Sequence, residues 1–156
     1  MEDDKSIKDT VRKGYAEIAS EKQESCGCCS CGCQNKSENS SEEIAKQIGY
    51  SEEDNEKYSG ANMGLGCGNP VALSKINPDD IVVDLGCGGG FDSFLASEKL
   101  SQKGKVIGID MTKEMIDKAR KNAEKNNIEN VEFRLGEIEN LPLEDNSVDK
   151  IISNCV

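Results

Sequence analysis

The second half of this sequence predicts an α/β fold with a doubly wound parallel sheet, and three observations support it. IVVDL at 81–85 is a nearly continuous apolar run, the mark of a strand covered on both faces. Further strand-like runs follow at 105–110 (KVIGID), 131–135 (VEFRL) and 147–154 (SVDKIISN). Helix-periodic segments separate the first three, and strands that alternate with helices join through right-handed crossovers.

Composition sets the limits. The chain has 156 residues, enough for one domain with a core and too few for two of ordinary size. Only 35% of residues are hydrophobic and 31% are charged, so the apolar material is concentrated, mostly after Ile81. Thirty acidic residues against 19 basic ones give a net charge of −11, a surface that repels a phosphate backbone. Nucleic acid is therefore an unsuitable partner. No run approaches the roughly 18 apolar residues of a membrane span, and MEDDKSIKD lacks the features of a signal peptide. These readings place the chain in the cytoplasm, away from membranes. Eight cysteines and no histidine then point to soft-metal or redox chemistry rather than disulfide staples, because such a compartment is reducing.

Taken in order, residues 6–20 carry Ile7, Val11, Tyr15 and Ile18 at helical spacing, with Ser6 and Asp9 placed as an opening cap. Residues 21–41 hold almost no large apolar side chain and read as a loop. Within it CGCCSCGC, residues 26–33, puts five cysteines into eight positions. Ser40 and Glu43 form a second capping signature before one or two short helices. GANMGLGCGNP at 60–70 is a glycine-rich loop around Cys67, and Asn69 followed by Pro70 opens a short helix through Lys75. After IVVDL come the turn GCGGG, the helix FDSFLASEKL and the strand KVIGID. The helix TKEMIDKARKNAEKNN then places Met115, Ile116, Ala119 and Ala123 on one face. The chain divides into N-terminal helices with a cysteine-rich loop (1–78) and a half domain built on the sheet (79–156).

The turn after the first strand is the richest local signal. Glycines there let a backbone approach a ligand, and an acid about 20 residues later accepts from ribose hydroxyls; Asp110 is that acid. A dinucleotide fingerprint would need glycine where Phe91 stands. The glycines fall instead at 86, 88 and 90, after Asp84. This D-x-G-x-G-x-G run resembles motif I of the class I S-adenosylmethionine-dependent methyltransferases, with their Rossmann-like sheet. The resemblance implies S-adenosylmethionine as cofactor, with Asp84 opening the motif and Gly86, Gly88 and Gly90 beside its methionine part. It also places Asp110 on the ribose and Met111 against the adenine. GEIENLP at 136–142 resembles the family's adenine loop, which implies contacts from the Ile138 amide and the Glu139 carboxylate.

Over nearly its whole length the chain further resembles arsenite methyltransferases, in VRKGYAEIA, the cysteine-rich loop, IAKQIGYSEED, GANMGLGCGNP, VVDLGCGGGFD, VIGIDMT and IISNCV. GLGCGNP and SNCV are the specific pieces, since most methyltransferases need no cysteine at either place. Trivalent arsenic is soft and prefers thiolates, and its lone pair can take a methyl group without a general base. The resemblance implies that Cys67 and Cys155 hold arsenite. It further implies that a thiol of the cluster, Cys33 or Cys31, joins them as relay or disulfide partner, and a thiol reductant such as thioredoxin or glutathione is expected to reset them. Cys87 reads as a small residue tolerated in the turn. Three other readings remain: sequestration of arsenite without turnover, a zinc or copper(I) site in the cluster, and methylation of a quinone-type acceptor. Family members continue well beyond SNCV, with a further arsenic-binding cysteine, so the chain is expected to be truncated after its fourth strand. The exposed edge of that strand is then expected to pair with another chain.

Overall fold

The computed structural model describes residues 2–20 and 47–154. Its centre is a parallel sheet of four strands, β1 (Ile81–Leu85), β2 (Lys105–Asp110), β3 (Val131–Leu135) and β4 (Lys150–Ser153), in the order β3-β2-β1-β4. The register runs Ile107 beside Val83 and Glu132, with Ile151 on the other side of Val83. The bounds of the first three strands are those the sequence predicts. β4 is shorter than 147–154 because Asp149 is spent on anchoring: its N–H bonds the Ile81 carbonyl at 2.9 Å, and its carboxylate accepts from the Ile81 N–H at 2.8 Å.

Alternation along the strands sends Val82, Val106, Phe133 and Ile152 to one face of the sheet and Val83, Ile107 and Ile109 to the other. The first face is covered by two helices, α4 (Phe91–Ser97) and α5 (Lys113–Lys125). The face of α5 that turns inward is the predicted one, since Met115, Ile116, Ala119 and Ala123 are all buried. The second face is covered by the connection from β3 to β4, through Leu141, Leu143 and Val148. The chain thus winds outward from β1 in both directions.

The N-terminal part is helical, with details that differ from expectation. Helix α1 spans Glu2–Ser20, so Ser6 is no cap. It lies inside the helix, and its carbonyl accepts from the Thr10 hydroxyl. Helix α2 (Glu52–Lys57) opens on a capping box in which Ser51 and Asp54 satisfy each other's backbone N–H; the Ser40 and Glu43 signature lies outside the described residues. Helix α3 is the short turn Pro70–Leu73, with Asn69 accepting from the Ala72 N–H at 2.9 Å. It ends before Lys75 because Ser74 is extended. None of the described helices is long and apolar enough to cross a membrane.

One strand position has no room for a side chain. A Cβ on Gly108 would stand 2.6 Å from the Phe133 ring and 3.0 Å from the Cys87 sulfur. Phe133 cannot step aside, since it is buried and meets Phe94 edge to face at 5.9 Å. Gly108→Ala gains roughly 0.4–1 kcal/mol from a stiffer unfolded chain but meets an overpacking cost of about 1–3 kcal/mol. The overpacking dominates, so the variant should unfold at a lower urea midpoint than the parent.

Candidate functional site

The chain reverses its winding direction between β1 and β4, and in such sheets ligands bind outside the carboxyl ends of the strands at that switch point. A cavity of about 570 Å³ lies there, within the range of roughly 300–1,000 Å³ typical of small-molecule sites. Its floor is the turn after β1. Gly86 and Gly88 take left-handed backbone angles (φ 69° and 50°), which L side chains avoid. The N–H groups of Gly86 and Cys87 both bond the Ile109 carbonyl at the end of β2.

The carboxylate of Asp110 completes that floor. One oxygen accepts from the Gly88 N–H at 3.0 Å, and the other accepts from the Thr112 N–H at 2.8 Å. Met111 and Thr112 continue the wall, and Gly136, Glu137, Ile138 and Glu139 form its far side. Gly90, expected in the wall, stands behind it. Its left-handed turn starts α4, and the rings of Phe94 and Phe133 fill the space beside it.

Helix α1 closes the cavity from above with Ile7, Lys8, Val11 and Tyr15. Lys8 bonds Glu137 at 2.9 Å and Glu139 at 2.7 Å, and Arg12 also pairs with Glu137. These partners hold both carboxyl groups below the usual carboxylate range. The sequence placed Glu139 on a ligand; in the structure its carboxylate is engaged by Lys8. Lys8 and Arg12 were not foreseen, although they stand one and five residues after Ile7 on the same side of an evident helix.

Two more carboxyl groups reach the cavity from beneath. Asp84 is 2% exposed and accepts from the Ser93 hydroxyl at 2.6 Å. Burial, reinforced by the charge of Asp92, pushes it up to about 8. Asp92, in the first turn of α4, is also raised by burial, against the pull of its hydrogen bonds. It accepts from the Tyr50 hydroxyl at 2.5 Å and from Asn154 Nδ2 at 3.0 Å. Burial and the Asp92 charge in turn push the Tyr50 phenol up, so it keeps the proton it donates.

Of the predicted thiols, Cys67 and Cys87 fall among the described residues. Cys87 is buried and free, and burial pushes its thiol well up. Cys67 is exposed at the rim of the cavity, directly after Gly66, which lines it. Its N–H donates to Asn154 Oδ1 at 3.0 Å, and it is disulfide-bonded. Cys31, Cys33 and Cys155 lie outside the described residues. Among the described residues no group of three or more His, Cys, Asp or Glu side chains could hold a metal ion. Tyr50, Asp92 and Asn154 were missed in the sequence, although they lie inside the quoted stretches IAKQIGYSEED, VVDLGCGGGFD and IISNCV, where the glycines and cysteines drew attention instead.

A family described as a methyltransferase domain matches residues 76–156. An arsenite methyltransferase from Halobacterium salinarum is 46% identical over 99% of this chain, and the match spans 41% of that protein's length. Two solved structures share the fold. One is an arsenic(III) S-adenosylmethionine methyltransferase from Chlamydomonas reinhardtii, with 33% identity, a TM-score of 0.52, and coverage of 72% of this chain and 39% of that one. The other is an S-adenosylmethionine-dependent methyltransferase from Aquifex aeolicus, with 27% identity, a TM-score of 0.52, and coverage of 73% and 56%.

The buried acids make a pH prediction with a definite sign. An unfolded aspartate titrates near 3.9, whereas Asp84 titrates at about 8 in the fold. Between those values the folded state holds the extra proton, so stability is fully present below the lower value and is lost as pH rises through the upper one. The chain has no histidine to obscure this window. Urea midpoints should therefore fall between about pH 5.5 and about pH 8.5, and Asp84→Asn should remove most of that fall.

Proposed function

Because the chain belongs to the methyltransferase domain family, we propose that it catalyses methyl transfer from S-adenosylmethionine to trivalent arsenic held by cysteine thiolates. The observation that carries this reading is the placement of Cys67. GLGCGNP is fastened by Asn154 at the end of β4, beside the cavity, and Cys155 is the next residue in the chain. A methyltransferase for an organic acceptor has no use for two thiols there. The likeness to the Halobacterium salinarum arsenite methyltransferase, which runs through both segments, supports the same reading. The chain spans less than half of that relative's length.

The cavity fits the methyl donor by charge as well as size. Asp84, Asp92 and Asp110 face it from below, a setting that favours a cationic ligand and repels the pyrophosphate of a dinucleotide. S-adenosylmethionine supplies an electrophilic methyl group on a sulfonium. On this reading Asp110 and the glycine turn hold the ribose side, while Met111 and Ile138 flank the adenine. Helix α1 then excludes water from above.

The acceptor side requires thiolates, because soft arsenic binds sulfur in that form. Cys67 is disulfide-bonded, so a thiol reductant of the thioredoxin or glutathione kind must first deliver two electrons and two protons to that bond. If the donor is bound, the arsenic lone pair would form the new carbon bond as the methyl–sulfur bond breaks and its electron pair stays on sulfur, leaving S-adenosylhomocysteine, and no residue need act as base. The absence of histidine is consistent with that chemistry.

Arsenite-dependent transfer, read as methylated arsenic by mass spectrometry with S-adenosylmethionine and a thiol reductant, tests the proposal. Cys67→Ser and Cys155→Ser should each lower turnover by at least about a hundredfold, in the manner of a lost reactive group, while S-adenosylhomocysteine still binds. Turnover retained in either variant would eliminate the ligand role of that cysteine, whereas neither arsenite binding nor methylated arsenic, with S-adenosylhomocysteine still bound, would favour an organic acceptor. Arsenite binding without any product would favour sequestration. For the donor side, Lys8→Glu sets a third acid against Glu137 and Glu139, and should weaken S-adenosylhomocysteine binding about three- to fivefold, the scale of exposed ion pairs. Added salt should narrow that difference.

A further inference from the structure

We propose that Asn154 is a positioning residue that fixes the Cys67 loop against the cavity. The inference rests on the reading above only for what Cys67 is used for. The geometry of the Asn154 amide is its basis. Oδ1 accepts from the Cys67 N–H at 3.0 Å, and Nδ2 lies 2.8 Å from the Gly68 carbonyl. One side-chain amide thus grips both sides of the segment that carries the cysteine.

The grip is itself anchored. Nδ2 also lies 3.0 Å from Asp92 Oδ2 and 3.0 Å from the Tyr50 hydroxyl, and that hydroxyl lies 2.9 Å from the Gly68 carbonyl. Asp92 lines the cavity in the first turn of α4. The loop, the cavity and the end of β4 therefore share one polar cluster, in which Tyr50 and Asp92 are buried and Asn154 is half-buried. Gly66 makes the close approach possible, since a Cβ there would stand 2.8 Å from Asn154 Nδ2. Gly66 does not have the positive φ that favours glycine, so contact with Asn154, rather than backbone strain, is what a side chain would upset. The consequence for the thiols is covalent: the residue that clamps Cys67 is bonded directly to Cys155.

Labelling tests this without arsenic. The reduced chain is exposed to a maleimide, and the modification rate at each cysteine is read by peptide mass mapping. Asn154→Ala frees the loop and should raise the rate at Cys67 at least threefold. The rate at buried Cys87 should stay as in the parent, because Cys87 answers only to a loosening of the sheet. Gly66→Ala pushes the loop off the same amide while leaving Asn154, Asp92 and Tyr50 in place, and should reproduce the pattern. An unchanged rate at Cys67 in both variants would overturn the proposal. A parallel rise at Cys87 would also overturn it, by showing a general role in stability. Arsenite affinity of the reduced parent, compared with Cys67→Ser, separates this outcome from the functional reading: equal affinities would remove arsenite from Cys67 and leave the labelling result standing.

Discussion

The turn between β1 and α4 is the constraint on which the rest of the site depends. Its glycines at 86, 88 and 90 all lie in the left-handed region, and the chain uses that freedom to return its N–H groups to β2. Two of them bond the Ile109 carbonyl, and a third bonds the Asp110 carboxylate. The ends of two neighbouring strands are thereby tied together, and the space above them becomes a cavity rather than a packed layer. The same turn is gripped from behind by α5, where Asn122 Nδ2 bonds the Gly89 carbonyl at 3.0 Å. With no room for a side chain on Gly89, whose Cβ would meet the Ala61 carbonyl at 2.8 Å, the N-terminal segment seats directly on the turn.

Charge then decides what the cavity can take. The protein carries an excess of acids, and three of them meet at the floor of one pocket. Two are buried enough that their carboxyl groups resist ionisation. Bringing a cation to such a floor lowers the cost of ionising them, whereas an anion raises it. The site therefore discriminates by sign before it discriminates by shape. That preference separates this glycine turn from the dinucleotide folds it superficially resembles, in agreement with Phe91 standing where their third glycine would be.

The sheet was legible because β1, buried on both faces, needs a nearly unbroken apolar run while the edge strand β3 alternates apolar and charged residues in VEFRL, and three of four strands begin and end where the sequence patterns do. The inner face of α5 was legible for the same reason, since Met115, Ile116, Ala119 and Ala123 recur at the helical period. Helix α1 was legible as a helix but not at its start: Ser6 and Asp9 match a capping pattern that four further N-terminal residues outcompete by continuing the helix. The polar cluster was illegible. Tyr50, Asp92 and Asn154 lie 42 and 62 residues apart in sequence, and no periodicity links side chains that meet only because β4 pairs with β1. The cysteine motifs were visible as motifs, yet the role of the asparagine beside one of them depends on that pairing.

Unequal strength on the two sides of the cavity follows from the same arrangement. Helix α1 is held over the cavity by Lys8 and Arg12, through ion pairs that are partly or largely exposed to solvent. Such pairs contribute little and weaken further in salt. Its apolar stripe adds little in the absence of a ligand, since Ile7 remains 61% exposed and Val11 39%. The Cys67 loop is held instead by hydrogen bonds to a half-buried amide that also bonds a buried carboxylate, and breaking those would leave polar groups unsatisfied in a poorly hydrated place. Of the two walls, the one made by α1 is the easier to lift. A ligand that filled the space beneath α1 would bury that stripe and add the apolar contact the helix lacks, so α1 has more to gain from an occupied cavity than the hydrogen-bonded Cys67 loop.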